Sequence, residues 1–204
     1  MPVRDVLIVG AGPSGLATAI AAKQRGLDYV VVEKGILVNS IFNFPQHMVF
    51  FTTPELLEIG GLPLVTPYDK PTRLEALRYY RRVVDTFDLQ ISFHEAVTAI
   101  ERGDDGVFTV TTTTPRRARR VREAGAVVLA IGYYDIPNRL GIPGEDLPHV
   151  NHYYTDAHPY YRQRVVVVGG KNSAAEACLG LFRAGAYPTL VDRDAELGCT
   201  IKHR

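Results

Sequence analysis

Residues Val6–Glu33 read VLIVGAGPSGLATAIAAKQRGLDYVVVE, and the order of their parts decides the fold. Val6–Val9 is a short apolar run closed by glycine, the pattern of a buried parallel strand. Gly10, Gly12 and Gly15 follow as G-x-G-x-x-G, with Pro13 and Ser14 inside the motif. A helix is expected from there to about Arg25, stopped by Gly26 just past its end. A second apolar strand, Tyr29–Val32, ends on Glu33. Each glycine has a physical reason to be there. Gly10 permits a tight turn, Gly12 lets backbone approach a pyrophosphate, and Gly15 lets helix and strand pack closely. The helix N-terminus offers N–H groups and a positive dipole end to phosphate. Glu33 stands where a carboxylate accepts from ribose hydroxyls. Strand, glycines, helix, strand and acid in this order specify a dinucleotide-binding unit far better than glycines alone.

A second copy lies downstream. Val165–Arg193, VVVVGGKNSAAEACLGLFRAGAYPTLVDR, aligns without a gap on Val6–Lys34 at an offset of 159. Gly169 falls on Gly10, Ala174 on Gly15, Gly185 on Gly26 and Asp192 on Glu33. Two such units imply two nucleotide cofactors whose reactive rings meet. Lys171 falls on Gly12, placing a side chain where backbone usually nears the pyrophosphate; its ammonium either contacts phosphate or points to solvent. Asp192-Arg193 leaves the second nucleotide open, since a carboxylate suits the ribose of NAD and an arginine the 2′-phosphate of NADP.

The 204 residues are 46% hydrophobic and 22% charged, with a net charge of +1. Such a chain buries a core of one or two domains. The charge gives no bulk field for nucleic acid or an anionic membrane, and no apolar run is long enough to cross a bilayer. The first strand starts almost at Met1, which leaves no room for a signal peptide. Cys178 and Cys199 are too few for a disulfide framework, so a cytoplasmic setting is expected.

Between the two units, Lys34–Leu64 is long and irregular, a candidate ligand wrap in which Phe42, Phe44, Phe50 and Phe51 act either on a ring system or as satellite core. Thr72 is expected to cap a helix with Glu75 in a capping box, and Leu74, Leu77, Tyr80 and Val84 form its apolar face. Strands are expected at Ile91–Phe93, Ala96–Glu101, Val107–Thr113 and Ala126–Ile131. The basic run Arg116, Arg117, Arg119, Arg120 and Arg122 reads as a solvated hairpin loop rather than an anion site. His149, His152 and His158 cluster in a Pro- and Gly-bearing connection without the spacing of a metal site.

Several motifs carry a family resemblance. Val128-Leu129-Ala130-Ile131-Gly132 with Ile142-Pro143-Gly144 is similar to the second FAD motif of two-dinucleotide flavoproteins of the thioredoxin reductase and flavin monooxygenase kind. Lys34–Val49 with Phe50-Phe51-Thr52-Thr53-Pro54-Glu55-Leu56-Leu57, then Lys70-Pro71-Thr72-Arg73, then Gly169-Gly170-Lys171-Asn172-Ser173-Ala174-Ala175-Glu176, resembles the bacillithiol disulfide reductase family over essentially the whole chain. That family carries lysine at the Lys171 position, binds FAD and uses NADPH, so the resemblance implies FAD at the first fingerprint and NADPH at the second. It commonly has cysteine between the proline and last glycine of the first motif. Here that residue is Ser14, whose hydroxyl forms no mixed disulfide.

The fold expected is α/β: two dinucleotide-binding (Rossmann-like) domains with parallel sheets and a β-meander, the second truncated. Residues 1–130 are read as the FAD-binding domain, 131–159 as a connection and 160–204 as the start of an NAD(P)H-binding domain. The second fingerprint leaves room for only one β-α-β unit, so the chain is read as an N-terminal portion. The cofactor-binding set is Gly10, Gly12, Pro13, Ser14, Gly15, Glu33, Lys34, Ser40, Val97 and Gly132 for FAD, with Gly169, Gly170, Lys171, Asn172, Ser173, Ala174, Asp192 and Arg193 for NADPH. No acid–base residue and no metal ligand is identified. The expected activity passes a hydride from NADPH through flavin to a small-molecule acceptor, such as bacillithiol disulfide, with neither nucleic acid nor membrane as partner and homo-oligomerisation left open. The alternatives are a flavin-dependent monooxygenase and a truncated, non-catalytic nucleotide binder.

Overall fold

A computed structural model describes residues 2–194 and divides into two compact units, residues 2–43 with 52–138 and residues 44–51 with 139–194. In the first, β1 (Arg4–Val9), α1 (Pro13–Gln24) and β2 (Tyr29–Val32) form the expected β-α-β unit. α2 (Asn39–Phe42) is a single turn, and α3 (Arg73–Phe87) leads to β3 (Ile91–Ser92), β4 (Ala96–Arg102), β5 (Phe108–Thr113) and β6 (Arg119–Leu129). The six strands form one sheet in the order β3-β2-β1-β6-β5-β4. β3, β2, β1 and the end of β6 run parallel, while β4, β5 and the start of β6 form the antiparallel meander.

β6 departs most from expectation. It begins at Arg119, seven residues before Ala126, and takes in three arginines assigned to a solvated loop. Arg119–Ala124 pairs with β5 and Ala124–Leu129 with β1, so one strand joins the antiparallel and parallel parts of the sheet. Only the tip at Thr114–Ala118 is a turn, with Arg117 in the left-handed region.

The core of this unit gathers Leu7, Val9, Val30, Val32, Val110 and Ala124. α3 starts at Thr72 with the expected capping box: Thr72 Oγ1 accepts from the Glu75 N–H, and Glu75 Oε2 accepts from the Thr72 N–H at 2.7 Å. Its buried face is Ala76, Tyr79, Tyr80 and Val83, while Leu74 is exposed. The face turns toward the tyrosines because their hydroxyls find backbone partners: Tyr79 donates to Leu62 O at 2.8 Å and Tyr80 to Leu57 O at 3.0 Å. A buried phenol needs such a partner.

In the second unit β7 (Arg164–Val168), α4 (Asn172–Arg183) and β8 (Tyr187–Val191) repeat the β-α-β unit, with β7 and β8 parallel. The two helices end alike. Gly26 and Gly185 are both left-handed, and the next N–H, of Leu27 or Ala186, returns to Ala22 O or Leu181 O. This is the bond pattern that satisfies a helix's last carbonyls.

Candidate functional site: two glycine loops

The first loop runs from β1 into α1. Gly10 has φ +106°, and a Cβ there would lie 2.4 Å from Ala130 O. A Cβ on Gly15 would lie 1.9 Å from Gly10 O, so only glycine lets α1 start this close to the strand end. Around Gly12 the reverse holds: a Cβ would meet nothing within 4 Å. Gly12 caps α1, Pro13 is its first residue, and neither a side-chain cap nor an acidic residue occupies the first turn. α3, with its capping box, shows what a satisfied helix start looks like in this molecule. The open space and uncapped N–H groups suit a phosphate, which would take the place of the missing cap. Ser14 is exposed in this first turn, and its carbonyl accepts from Thr18 Oγ1 at 2.8 Å.

Glu33 is buried, and its carboxylate closes the loop from the other side. Oε2 accepts from the Ala11 N–H at 2.8 Å and Oε1 from the Gly35 N–H at 2.7 Å. The acid thus holds the loop that it borders while keeping lone pairs for further donors. Around it, Lys34 forms an ion pair with Asp135, Val38 donates to Ala11 O at 3.0 Å, and Ser40 lies half-buried on α2. Arg73 ties α2 down by donating to Ile41 O and Phe42 O while covering the Phe42 ring at 5.3 Å. Val97 lies at a bulge in β4, packed on the core cluster, and Gly132 follows β6 with φ +62° in open space. The structure brings Gly10, Gly12, Gly15 and Glu33 into one constellation, and it turns Lys34 to Asp135.

Sequence reasoning missed the support beneath Glu33. Glu95 is fully buried and receives five hydrogen bonds: Ser92 Oγ at 2.6 Å, Thr112 Oγ1 at 2.5 Å, Arg120 at 3.2 Å, and Arg122 through Nε and Nη2, both at 2.8 Å. The paired Arg122 guanidinium, with the hydroxyls of Ser92 and Thr112, holds the Glu95 carboxyl well below the carboxylate range, at about 2, against the opposing effect of burial. Neither motif nor spacing marks Glu95. The only signal is the arginine run, which needs an acid if it is a strand.

The second loop has the same path and different contacts. Gly169 has φ +134°. Asp192 reaches over Gly170, where a Cβ would lie 1.7 Å from Oδ2, so the shorter acid takes the space that a side chain at that position would fill. Ala174 replaces Gly15 and carries its own Cβ, 3.5 Å from the position of one on Gly169. Lys171 caps α4, exposed and without an ion pair among the described residues, and no side-chain cap or acidic residue occupies that helix start either. Asn172 and Ser173 open the helix. Arg193 is 89% exposed, with Asp194 at 3.9 Å.

Of the histidines, His152 meets Glu145 at 2.9 Å. Cys178 is half-buried in α4, and burial pushes its thiol up, away from the thiolate. Cys199 lies outside the described residues. No helix among those residues is long and apolar enough to cross a membrane.

With this geometry in hand, comparison with known proteins gives a consistent result. Residues 7–202 match the family described as pyridine nucleotide-disulphide oxidoreductase. The chain is 42% identical to bacilliredoxin reductase Bdr of Bacillus subtilis (strain 168), over 96% of this chain and 59% of the relative. It superposes on bacillithiol disulfide reductase Bdr (YpdA) of Bacillus cereus with TM-score 0.95 at 41% identity, covering 98% of this chain and 62% of the other. The Staphylococcus aureus enzyme of the same name gives 0.93 at 41% identity, over 99% and 61%. A flavin-containing monooxygenase from Stenotrophomonas maltophilia shares the fold at TM-score 0.79 and 22% identity, over 97% and 60%. The chain spans about three-fifths of the length of these proteins.

Proposed function

Because the chain belongs to the pyridine nucleotide-disulphide oxidoreductase family, we propose that its protein is an NADPH-dependent FAD oxidoreductase whose acceptor is a disulfide of the bacillithiol system. The observation that carries this reading is the pair of uncapped glycine-loop helix starts, each bordered by an acid at the neighbouring strand end. Bound FAD and NADPH supply the chemistry, hydride transfer between nicotinamide and flavin and then to the acceptor. The chain's residues bind and orient. The first turn of α1 meets the FAD pyrophosphate across Gly12, and Glu33 accepts from the adenosine ribose. Lys171 and the first turn of α4 take the NADPH pyrophosphate, and Arg193 its 2′-phosphate. Residues 1–130 then form the FAD-binding domain, 131–159 the connection and 160–204 the nicotinamide-nucleotide domain, working in the cytoplasm.

The relatives' names give the acceptor as bacilliredoxin in one case and bacillithiol disulfide in two. Ser14 stands where the resemblance calls for cysteine, and Cys178 has a raised thiol pKa. The proposed transfer to the disulfide therefore uses no mixed disulfide at residue 14. Stopped-flow measurement tests this in two stages. NADPH should bleach the flavin, and bacillithiol disulfide should restore its colour slowly in the protein with Ser14 and faster after Ser14→Cys. Flavin that NADPH leaves oxidised, or that oxygen with a nucleophilic substrate reoxidises while disulfide does not, would overturn the assignment.

A further inference from the structure

We infer that Glu95, held by Arg122, is a positioning residue that sets the Glu33 carboxylate for the adenosine ribose of FAD; the inference rests on the reading of the first loop as the FAD site. The backbone of Glu33 is clamped on both sides by one short stretch. Its N–H donates to Ser92 O at 2.9 Å, and its carbonyl accepts from the Glu95 N–H at 2.9 Å. The His94 N–H adds a bond to Gly35 O at 3.3 Å, with His94 in the left-handed region at φ +54°. The two clamping residues are joined by their own side chains, Ser92 Oγ to Glu95 Oε2. That pair is anchored in turn to Thr112 of β5 and Arg122 of β6. Residues of β3, β5 and β6 thus reach one carboxylate, although β3 is not a neighbour of β5 or β6 in the sheet.

The order of bonds runs from Arg122 to Glu95, to the Glu33 backbone, to the Glu33 carboxylate, to the Ala11 N–H of the glycine loop. A carboxylate shows selectivity for a ribose hydroxyl only if it is held within hydrogen-bond reach of it. Glu95 touches neither the loop nor a ligand position. Its effect passes through Glu33.

The test is a ratio rather than an affinity. FAD and a FAD analogue built on 2′-deoxyadenosine are titrated into the protein by flavin fluorescence. The unmodified protein should prefer FAD by about tenfold, the value of one hydrogen bond to a charged group, and Glu33→Ala, which removes the acceptor, should abolish the preference. Glu95→Gln should bring the ratio most of the way to one. A role in stability alone would weaken both flavins equally and leave the ratio intact. Arg122→Lys keeps the charge but loses the two-pronged grip, so it should give an intermediate ratio; it also decides the matter if Glu95→Gln fails to fold. A full preference in these variants, with Glu33→Ala still losing it, would overturn the positioning role and leave the FAD site standing. An unmodified protein that does not distinguish the two flavins would overturn the reading of Glu33, and this inference with it.

Discussion

The two β-α-β units carry nearly the same pattern of apolar residues and live in different surroundings. Leu7 and Val9 of β1 are 0% and 9% exposed, whereas the aligned Val166 and Val168 of β7 are 65% and 54%. β1 has β2 and β6 on its two edges, and β2 has β3 beyond it; among the described residues β7 and β8 pair only with each other. A fingerprint therefore encodes the local path of strand, loop, helix and strand, while burial is supplied by neighbours outside it. The loops also differ within that path. The first is built tight, with glycine at position 15 and a long acid gripping the Ala11 N–H. The second is built wider, with Ala174, a short acid over Gly170, and a lysine in place of the open glycine.

The largest test of this contrast is Gly12→Val. The side chain would fill the space around Gly12 and should abolish flavin retention on purification. Lys171→Val, at the aligned position, should weaken NADPH binding only several-fold. Flavin at full occupancy in the Gly12 variant, with a normal spectrum, would end the distinction between the loops.

Next comes Gly15→Ala, which forces a methyl group against Gly10 O and should cost about 3 kcal/mol by urea unfolding. The reciprocal Ala174→Gly removes a methyl group that has its own room and should cost about 1 kcal/mol, the helix-propensity difference. Equal costs at the two positions would mean that the loops pack alike.

The support under the first acid gives a pH signature of its own. Glu95 has a folded value of about 2 against an ordinary 4.5. A depressed carboxyl contributes its stability in full above the ordinary value and loses it as pH falls toward the folded one. The urea midpoint should therefore drop between about pH 4.5 and 2, by up to about 3 kcal/mol in stability. Glu95→Gln should flatten that window. A midpoint with the same acid slope in both proteins would remove Glu95 as its source.

The smallest effect belongs to Lys171→Ala. An exposed ammonium at a helix start should lower KM for NADPH several-fold through a screened attraction. The variant should raise KM by that factor and flatten its rise with salt, leaving flavin content unchanged. An unaltered KM would return Lys171 to the solvent.

Elements whose causes are local could be read from the residue order. The strand–loop–helix–strand order of both units, the left-handed Gly26 and Gly185, and the Thr72–Glu75 capping box all follow from residues a few positions apart. The constellation of Gly10, Gly12, Gly15 and Glu33 was legible for the same reason. Features that depend on partners far along the chain emerge in the folded protein alone. The arginine run reads as a loop until Glu95 supplies the charge that lets Arg122 lie in a strand. The α3 face reads as Leu74, Leu77, Tyr80 and Val84, and the fold buries Ala76, Tyr79, Tyr80 and Val83, where Ile59, Leu62 and Leu57 offer backbone partners to the two tyrosines. Glu33 reads as a ribose ligand, and what the fold shows is its grip on its own loop and its backbone clamped by residues that no spacing rule connects. Burial and pairing are properties of neighbours, and neighbours are set by the assembled sheet.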